Sequence, residues 1–204
     1  MPAPLLPLFV TDPTARIAFI AAVLVWSVPE MIGSFWQRAR VSRQAARVQD
    51  RGSMALLLGL QWTGLILSFA LAWSFPAAAI SGPRLALFAL GLVCILLGVA
   101  LRGYAIYTLG RYFTRDVAVS ADQPVVQRGP YRLVRHPAYS GTFLTMLGLG
   151  LALTNWASLV VLLAGVFLGH FYRVRVEEKA LVQAIGQPYI DYMQRTRRFI
   201  PWLF

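Results

Sequence analysis

The 204-residue chain has one cysteine, two histidines and eight acidic residues, and each shortage removes a class of protein. Cys94 stands alone inside an apolar run, so there is no intrachain disulfide and no cysteine metal cluster, and a secreted disulfide scaffold is excluded. Only 13% of the residues are charged, against about 25% in an average soluble domain. That is too little charge to coat a water-facing surface of this size. With 58% hydrophobic residues and a mean hydropathy of +0.61, a soluble enzyme and a disordered tail are excluded as well. G-x-S-x-G, H-E-x-x-H and Walker motifs are missing, and no Ser/His/Asp constellation stands out. Gly148-Leu-Gly150 is no dinucleotide loop, because it lies inside an apolar run with no strand before it. Chemistry in such a chain rests on positioning more than on acid–base groups.

What is present is a series of long apolar runs with arginine between them. Runs at 17–35, 54–75 and 85–109 each match the about 20 residues that a spanning helix needs. The block 137–172 is too long for one crossing and is interrupted only by Thr154-Asn155-Trp156. It reads as a helical hairpin turning at Asn155, with spans 137–153 and 157–172. The expected fold is all-α: a single multi-pass membrane helix bundle over 1–204 with about five transmembrane helices. Sixteen of the 19 cations fall in 37–53, 110–136 and the tail from Arg173. Those three segments share one side only with five spans, the N-terminus outside and the C-terminus cytoplasmic. The net charge of +11 therefore reads as positive cytoplasmic loops, with no nucleic-acid partner. Residues 1–16 place no basic region ahead of their apolar residues, unlike a cleaved signal peptide. Gly165-x3-Gly169 either lets a neighbouring helix approach closely or is ordinary membrane glycine. Glu30, beside Pro29, is an intramembrane acid: a functional candidate, or the partner of Arg102 or of a loop arginine.

Two segments at the cytoplasmic side are unlike ordinary loops. In the first, Gly129-Pro130 marks a turn and Pro137 starts a helix. Tyr131, His136 and Tyr139 are thereby gathered at the mouth of the bundle, where unpaired helix N–H groups suit a carboxylate. Arg128 and Arg132 read as headgroup anchors. In the second, His170, Arg173 and Glu177 recur at i, i+3, i+7 on one helix face. This is either a functional face or an Arg173–Glu177 pair of small worth. Arg175 and Glu178 fall on other faces and read as solvated or headgroup-facing. His170 reads as interfacial, with no second His or Cys spaced to join it at a metal.

Gly129-Pro-Tyr-Arg-Leu-Val-Arg-His-Pro-Ala-Tyr-Ser-Gly141, the hairpin, Arg173-x3-Glu177-Glu178, Gly186-x2-Tyr189-x2-Tyr192 and Arg198-x2-Pro201 together resemble the isoprenylcysteine carboxyl methyltransferase family, grouped with membrane phospholipid methyltransferases. The resemblance covers 111–201. It implies S-adenosylmethionine as cofactor, held without a Rossmann domain between membrane helices and the cytoplasmic segments 110–136 and 173–204. It implies His136, Pro137, Ala138, Tyr139 and Tyr131 as cofactor contacts, and Glu177 as the carboxylate that pairs with the cofactor's α-amino group. Gln123, Pro124, Val125 and Val126 align with a cofactor stretch in which the family has His and Leu where this chain has Gln123 and Val125. Arg173 matches the catalytic arginine that meets the methyl acceptor. No metal is implied.

The resemblance favours carboxyl methylation of a lipophilic, prenylcysteine-like acceptor entering from the bilayer. A lipid amine or a thiol is the alternative, with Glu178 or His170 then the nearest base. A nicotinamide-dependent membrane reductase and a non-catalytic scaffold are more distant. A short chain with one lysine among its 19 cations suggests a bacterial inner membrane.

Overall fold

The computed structural model describes residues 5–41, 47–48, 52–114, 118–119 and 123–201, with the backbone alone described at 34–41, 47–48 and 118–119. Arg38, Arg40, Arg43, Arg47, Arg51 and Arg115, counted above in the positive segments, have side chains outside the described residues. A short α1 (Leu8–Thr11) leads into five long helices: α2 (Pro13–Val41), α3 (Ser53–Ser74), α4 (Arg84–Leu109), α5 (Pro137–Ala152) and α6 (Trp156–Ile185). A terminal α7 (Gln187–Arg195) follows. Two two-residue strands, Arg47–Val48 and Ala118–Val119, pair antiparallel beside the bundle.

The apolar runs set the helices, and local chemistry sets their ends. Pro137 takes the first position of α5, where its missing N–H is not needed. The hairpin turn follows Ala152, with Thr154 in the left-handed region at φ 50°. Asn155 then caps α6 by accepting from Ser158 N at 3.0 Å. Its amide also donates to Phe75 O at 3.1 Å, which ties the hairpin turn to the end of α3. Gly186, at φ 74°, breaks α6 from α7 in a conformation that side chains resist.

Helices α2, α3, α4 and α6 are long and apolar enough to cross a membrane. Helix α5 matches the short expected span 137–153 to within one residue. Its 16 residues rise about 24 Å, less than the about 30 Å of a hydrocarbon core. Helix α6 is longer: its 30 residues run about 45 Å, roughly ten residues more than a hydrocarbon core needs. Helix α6 thus continues past the expected span 157–172, as the helical face through Glu177 required.

Antiparallel α4 and α5 meet through glycines seven residues apart on each helix, Gly91 and Gly98 against Gly148 and Gly141. A Cβ on Gly148 would stand 2.6 Å from Ile95 N, and one on Gly98 2.6 Å from Gly141 O. Gly165 and Gly169 lie against Leu60 and Leu57 of α3, so the close-approach reading of that pair holds. Between these contacts Phe19, Phe88, Ile95, Met146, Leu149, Leu162 and Val166 form the core. Ile17, Ile66, Trp73 and Leu85 stay exposed on the flanks, as lipid-facing residues would.

Because backbone rather than a flexible side chain faces Gly148, Gly148→Ala forces the two helices apart. The expected loss is about 1–3 kcal/mol, read as a lower unfolding temperature in detergent. The same change at Gly59, which has nothing within 4 Å, leaves it unmoved.

Candidate functional site

Helix α6 outruns α5 by 14 residues (30 against 16), so its Glu177 and Glu178 stand past the point where α5 begins. Around that projecting stretch the segment 123–136 folds inward, and α7 with the chain after it folds back. They line a cavity of about 90 Å³ that is partly open to solvent.

The walls are knitted by backbone. Arg135 N and His136 N donate to Arg197 O and Arg198 O at 2.7 and 3.0 Å, a short parallel bridge between the segment before α5 and the C-terminal segment. The Tyr192 hydroxyl donates to Tyr131 O at 2.7 Å. Ser140 Oγ donates to Phe199 O at 2.5 Å.

The two adjacent glutamates face different partners. Glu177 opens on the cavity, where its Oε2 accepts from the Tyr139 hydroxyl at 2.8 Å. The Arg173 guanidinium lies close enough for its charge to act on the Tyr139 hydroxyl. It is 1% exposed and donates through Nη1 to Ser53 Oγ of α3 at 2.7 Å. The His136 ring stacks on Tyr139 at 5.6 Å and the His170 ring meets it edge-on at 4.8 Å. Tyr139 therefore gathers the imidazole, guanidinium and carboxylate that the helical spacing placed on one face of α6.

Glu178 is buried under two guanidiniums and an imidazole. Arg198 Nη2 lies at 2.7 Å, Arg135 Nε at 2.9 Å and His136 Nε2 at 3.3 Å from its oxygens. Burial alone would raise its pKa, but the hydrogen bonds from His136 and Arg198 and the charge of Arg135 outweigh it and hold the carboxyl down at about 2. The same contact raises Arg198. Burial, with the charge of Glu177 next, pushes Tyr131 and Tyr189 well above the ordinary phenol range. Burial also lifts Tyr192 to about 12, so all three remain neutral hydrogen-bonding groups near neutral pH.

Of the residues implied as cofactor contacts, Gln123, Pro124, Val125, Val126, Tyr131, His136, Ala138, Tyr139 and Glu177 all line this cavity. Pro137 is fully buried at the start of α5 and does not line it. Arg173 lies deeper, behind Tyr139, and is likewise not part of the lining. Two readings are corrected. Glu178 is not headgroup-facing, because the returning C-terminal segment covers its face of α6. His170 is not interfacial: it is 2% exposed, packed on Phe143 and Tyr139, with Nδ1 donating to Val166 O at 2.9 Å. Arg128 and Arg132 are exposed, as anchors would be.

Sequence reasoning passed over Arg135, Leu181, Ile185, Tyr189 and Tyr192, which also line the cavity, as do Leu109, Tyr112, Phe113 and Thr114. The tyrosine spacing after Gly186 was visible. That both tyrosines turn inward depends on the break at Gly186, whose angle no spacing reveals.

Residues 89–183 match the model of the isoprenylcysteine carboxyl methyltransferase family. The resemblance drawn from the motifs is borne out over that region, which contains both the hairpin and the Arg173–Glu178 stretch. Protein-S-isoprenylcysteine O-methyltransferase B of Arabidopsis thaliana is 34% identical over 115 residues, 55% of this chain and 58% of that protein. The Saccharomyces cerevisiae protein-S-isoprenylcysteine O-methyltransferase is 34% identical over 116 residues, 56% of this chain and 48% of its own. The solved structure of a eukaryotic intramembrane Ras methyltransferase, isoprenylcysteine carboxyl methyltransferase, superposes with a TM-score of 0.59 at 29% identity. That superposition covers 71% of this chain and 51% of the other. The chain thus spans about half the length of these relatives. They are eukaryotic, so the bacterial placement finds no support in them.

The Glu178 cluster has a pH signature. A carboxyl held at about 2, against an ordinary 4.5, stabilises the fold fully above pH 4.5 and loses that contribution as pH falls toward 2. Glu178→Gln leaves the Arg135 and Arg198 guanidiniums facing a neutral amide, and the expected loss near neutral pH is about 3 kcal/mol. Thermal unfolding between pH 6 and 3 should show the gap between wild type and Glu178→Gln narrowing as the pH drops.

Proposed function

We propose that the chain is an S-adenosylmethionine-dependent methyltransferase acting on the carboxylate of a lipophilic, prenylcysteine-like acceptor at the cytoplasmic face of a membrane. The observation that carries this reading is the convergence of nine separately implied residues on one cavity with a carboxylate in its wall. The donor set fits the cofactor. Glu177 offers an anion for an α-amino group, and Tyr131, Val126 and Leu181 offer a largely apolar lining for an adenine ring. When bound, S-adenosylmethionine supplies a methyl sulfonium, which is already an electrophile.

The protein's own residues then have three tasks. Glu177, steadied by the Tyr139 hydroxyl, holds the amino group. Arg173, at the far side of Tyr139, orients the acceptor carboxylate, and its burial strengthens that hold above the small worth of a surface pair. The C-terminal segment, tied down through Arg198 and Glu178, limits water at the reacting centre. A carboxylate acceptor is ionised near neutral pH and needs no base. Alignment then supplies the rate, a contribution of several kcal/mol in well-oriented systems.

The electrostatics favour that acceptor over an amine or a thiol. Glu178, one of the two groups considered as a base, is held ionised at about 2 with its oxygens occupied by cations. A carboxylate so stabilised has little affinity for a proton at neutral pH.

Purified protein in lipid nanodiscs should bind S-adenosylhomocysteine and methylate N-acetyl-farnesylcysteine in preference to phosphatidylethanolamine. Glu177→Ala should weaken binding of that product by about tenfold. Arg173→Lys should change it less than about threefold while lowering kcat by about a hundredfold. Folded protein with no affinity for either form of the cofactor, or one that prefers phosphatidylethanolamine, overturns the reading.

A further inference from the structure

Away from the cavity lining, one charged pair among the described residues is partly buried between helices long and apolar enough to cross a membrane. Arg102 of α4 and Glu30 of α2 form an ion pair with their side chains 16% and 28% exposed. An arginine at this depth is tolerated only with partners, and its presence marks function by default. The fork of its guanidinium is divided. Nε and Nη2 go to the Glu30 carboxylate, Nη2 at 3.2 Å from Oε2. Nη1 is turned toward α5, 3.3 Å from both Ala138 O and Thr142 Oγ1.

Those two acceptors lie in the first two turns of α5. Thr142 Oγ1 itself donates back to Ala138 O at 3.2 Å, so the guanidinium closes a small ring around one carbonyl. It reaches this far because Gly141 lies directly on the α4 backbone: a Cβ there would stand 2.7 Å from Arg102 N. Ala138 lines the cavity, and the next residue is Tyr139, on which Glu177 and Arg173 converge. The charge of Arg102 also reaches Tyr131 on the same wall.

We infer that Arg102, oriented by Glu30, is a positioning residue that fixes the first turn of α5 and thereby the placement of Ala138 and Tyr139 in the donor cavity. The role deepens the methyl-donor reading and rests on it. Neither Arg102 nor Glu30 lines the cavity, so their hydrogen bonds act on it through the start of α5. It also joins the two parts of the chain, since Glu30 lies outside the family-matched region 89–183 and Arg102 inside it.

The test uses the full chain in nanodiscs, with Arg102→Lys and the double variant Glu30→Gln/Arg102→Met. The double variant removes both charges together, so its thermal stability should return close to wild type. Two readouts separate positioning from stability. Amide exchange at residues 140–143 of the ligand-free protein should be roughly tenfold faster in the double variant, and S-adenosylhomocysteine affinity roughly tenfold weaker, as expected for losing hydrogen bonds to a charged group. Exchange in α3 should be unchanged. Arg102→Lys keeps the charge but not the divided fork, and should move both readouts in the same direction by less. It stands as the test if the double variant does not fold. Wild-type exchange at 140–143 in either folded variant overturns the inference. Wild-type protein that fails to bind S-adenosylhomocysteine overturns the methyl-donor reading instead, while the exchange measurement still decides the role of the pair.

Discussion

The unequal arms of the hairpin govern the rest of this structure. Asn155 fixes the turn by capping α6 and by holding the end of α3, so the point at which both arms start is set at one end of the bundle. From there α5 stops after 16 residues while α6 runs for 30. The α5 start is therefore recessed against the side of α6, level with His170 and Arg173. A partner helix of equal length would have covered Glu177 with apolar side chains. The recess instead leaves polar backbone and side chains that must be satisfied. The inward fold of 123–136 and the return of the C-terminal segment satisfy them.

Adjacent residues on a helix diverge by about 100°, and here that angle separates two electrostatic jobs. Glu178 turns toward Arg135, Arg198 and His136, which hold its charge and fasten the lid-like segment that bears Arg198. Glu177 is then left facing the cavity, with the Tyr139 hydroxyl on one oxygen. A single carboxylate could not serve both purposes, because a closing segment that competes for the binding carboxylate would open whenever a ligand arrived. The consecutive pair lets the closure and the site be fastened separately.

This division also shows where sequence reading reaches and where it stops. The hairpin was legible because 137–172 is too long for one crossing and carries a capping Asn at its one polar break. The α6 face of His170, Arg173 and Glu177 was legible because helical spacing is a local rule. Glu178 was misread for the same reason: spacing places a residue on a face but does not say what later chain will cover it. Its cover comes from residues 196–199, which pair with 134–136 across more than sixty positions of sequence. Glu30 was a half-success. Arg102 was among its possible partners, but that the guanidinium would divide its donors between Glu30 and the start of α5 depends on the glycine contact at Gly141, a tertiary feature.

The same contrast bears on why the proposed donor side is better defined than the acceptor side. Every residue assigned to the donor cavity lies between 109 and 192, within or beside the family-matched stretch. Arg173, the residue assigned to the acceptor, faces out of that stretch: its Nη1 is bonded to Ser53, the first residue of α3. A buried guanidinium needs the geometry of its partners fixed, so the start of α3 shares in orienting it. The wall against which an acceptor would lie is therefore built partly from the region that the family match does not cover. Donor chemistry can stay constant while that wall changes, because the two are carried by opposite sides of Tyr139. On the proposed reading, the acceptor side is shaped by the start of α3 and by its close approach to α6 at Gly64, Gly165 and Gly169.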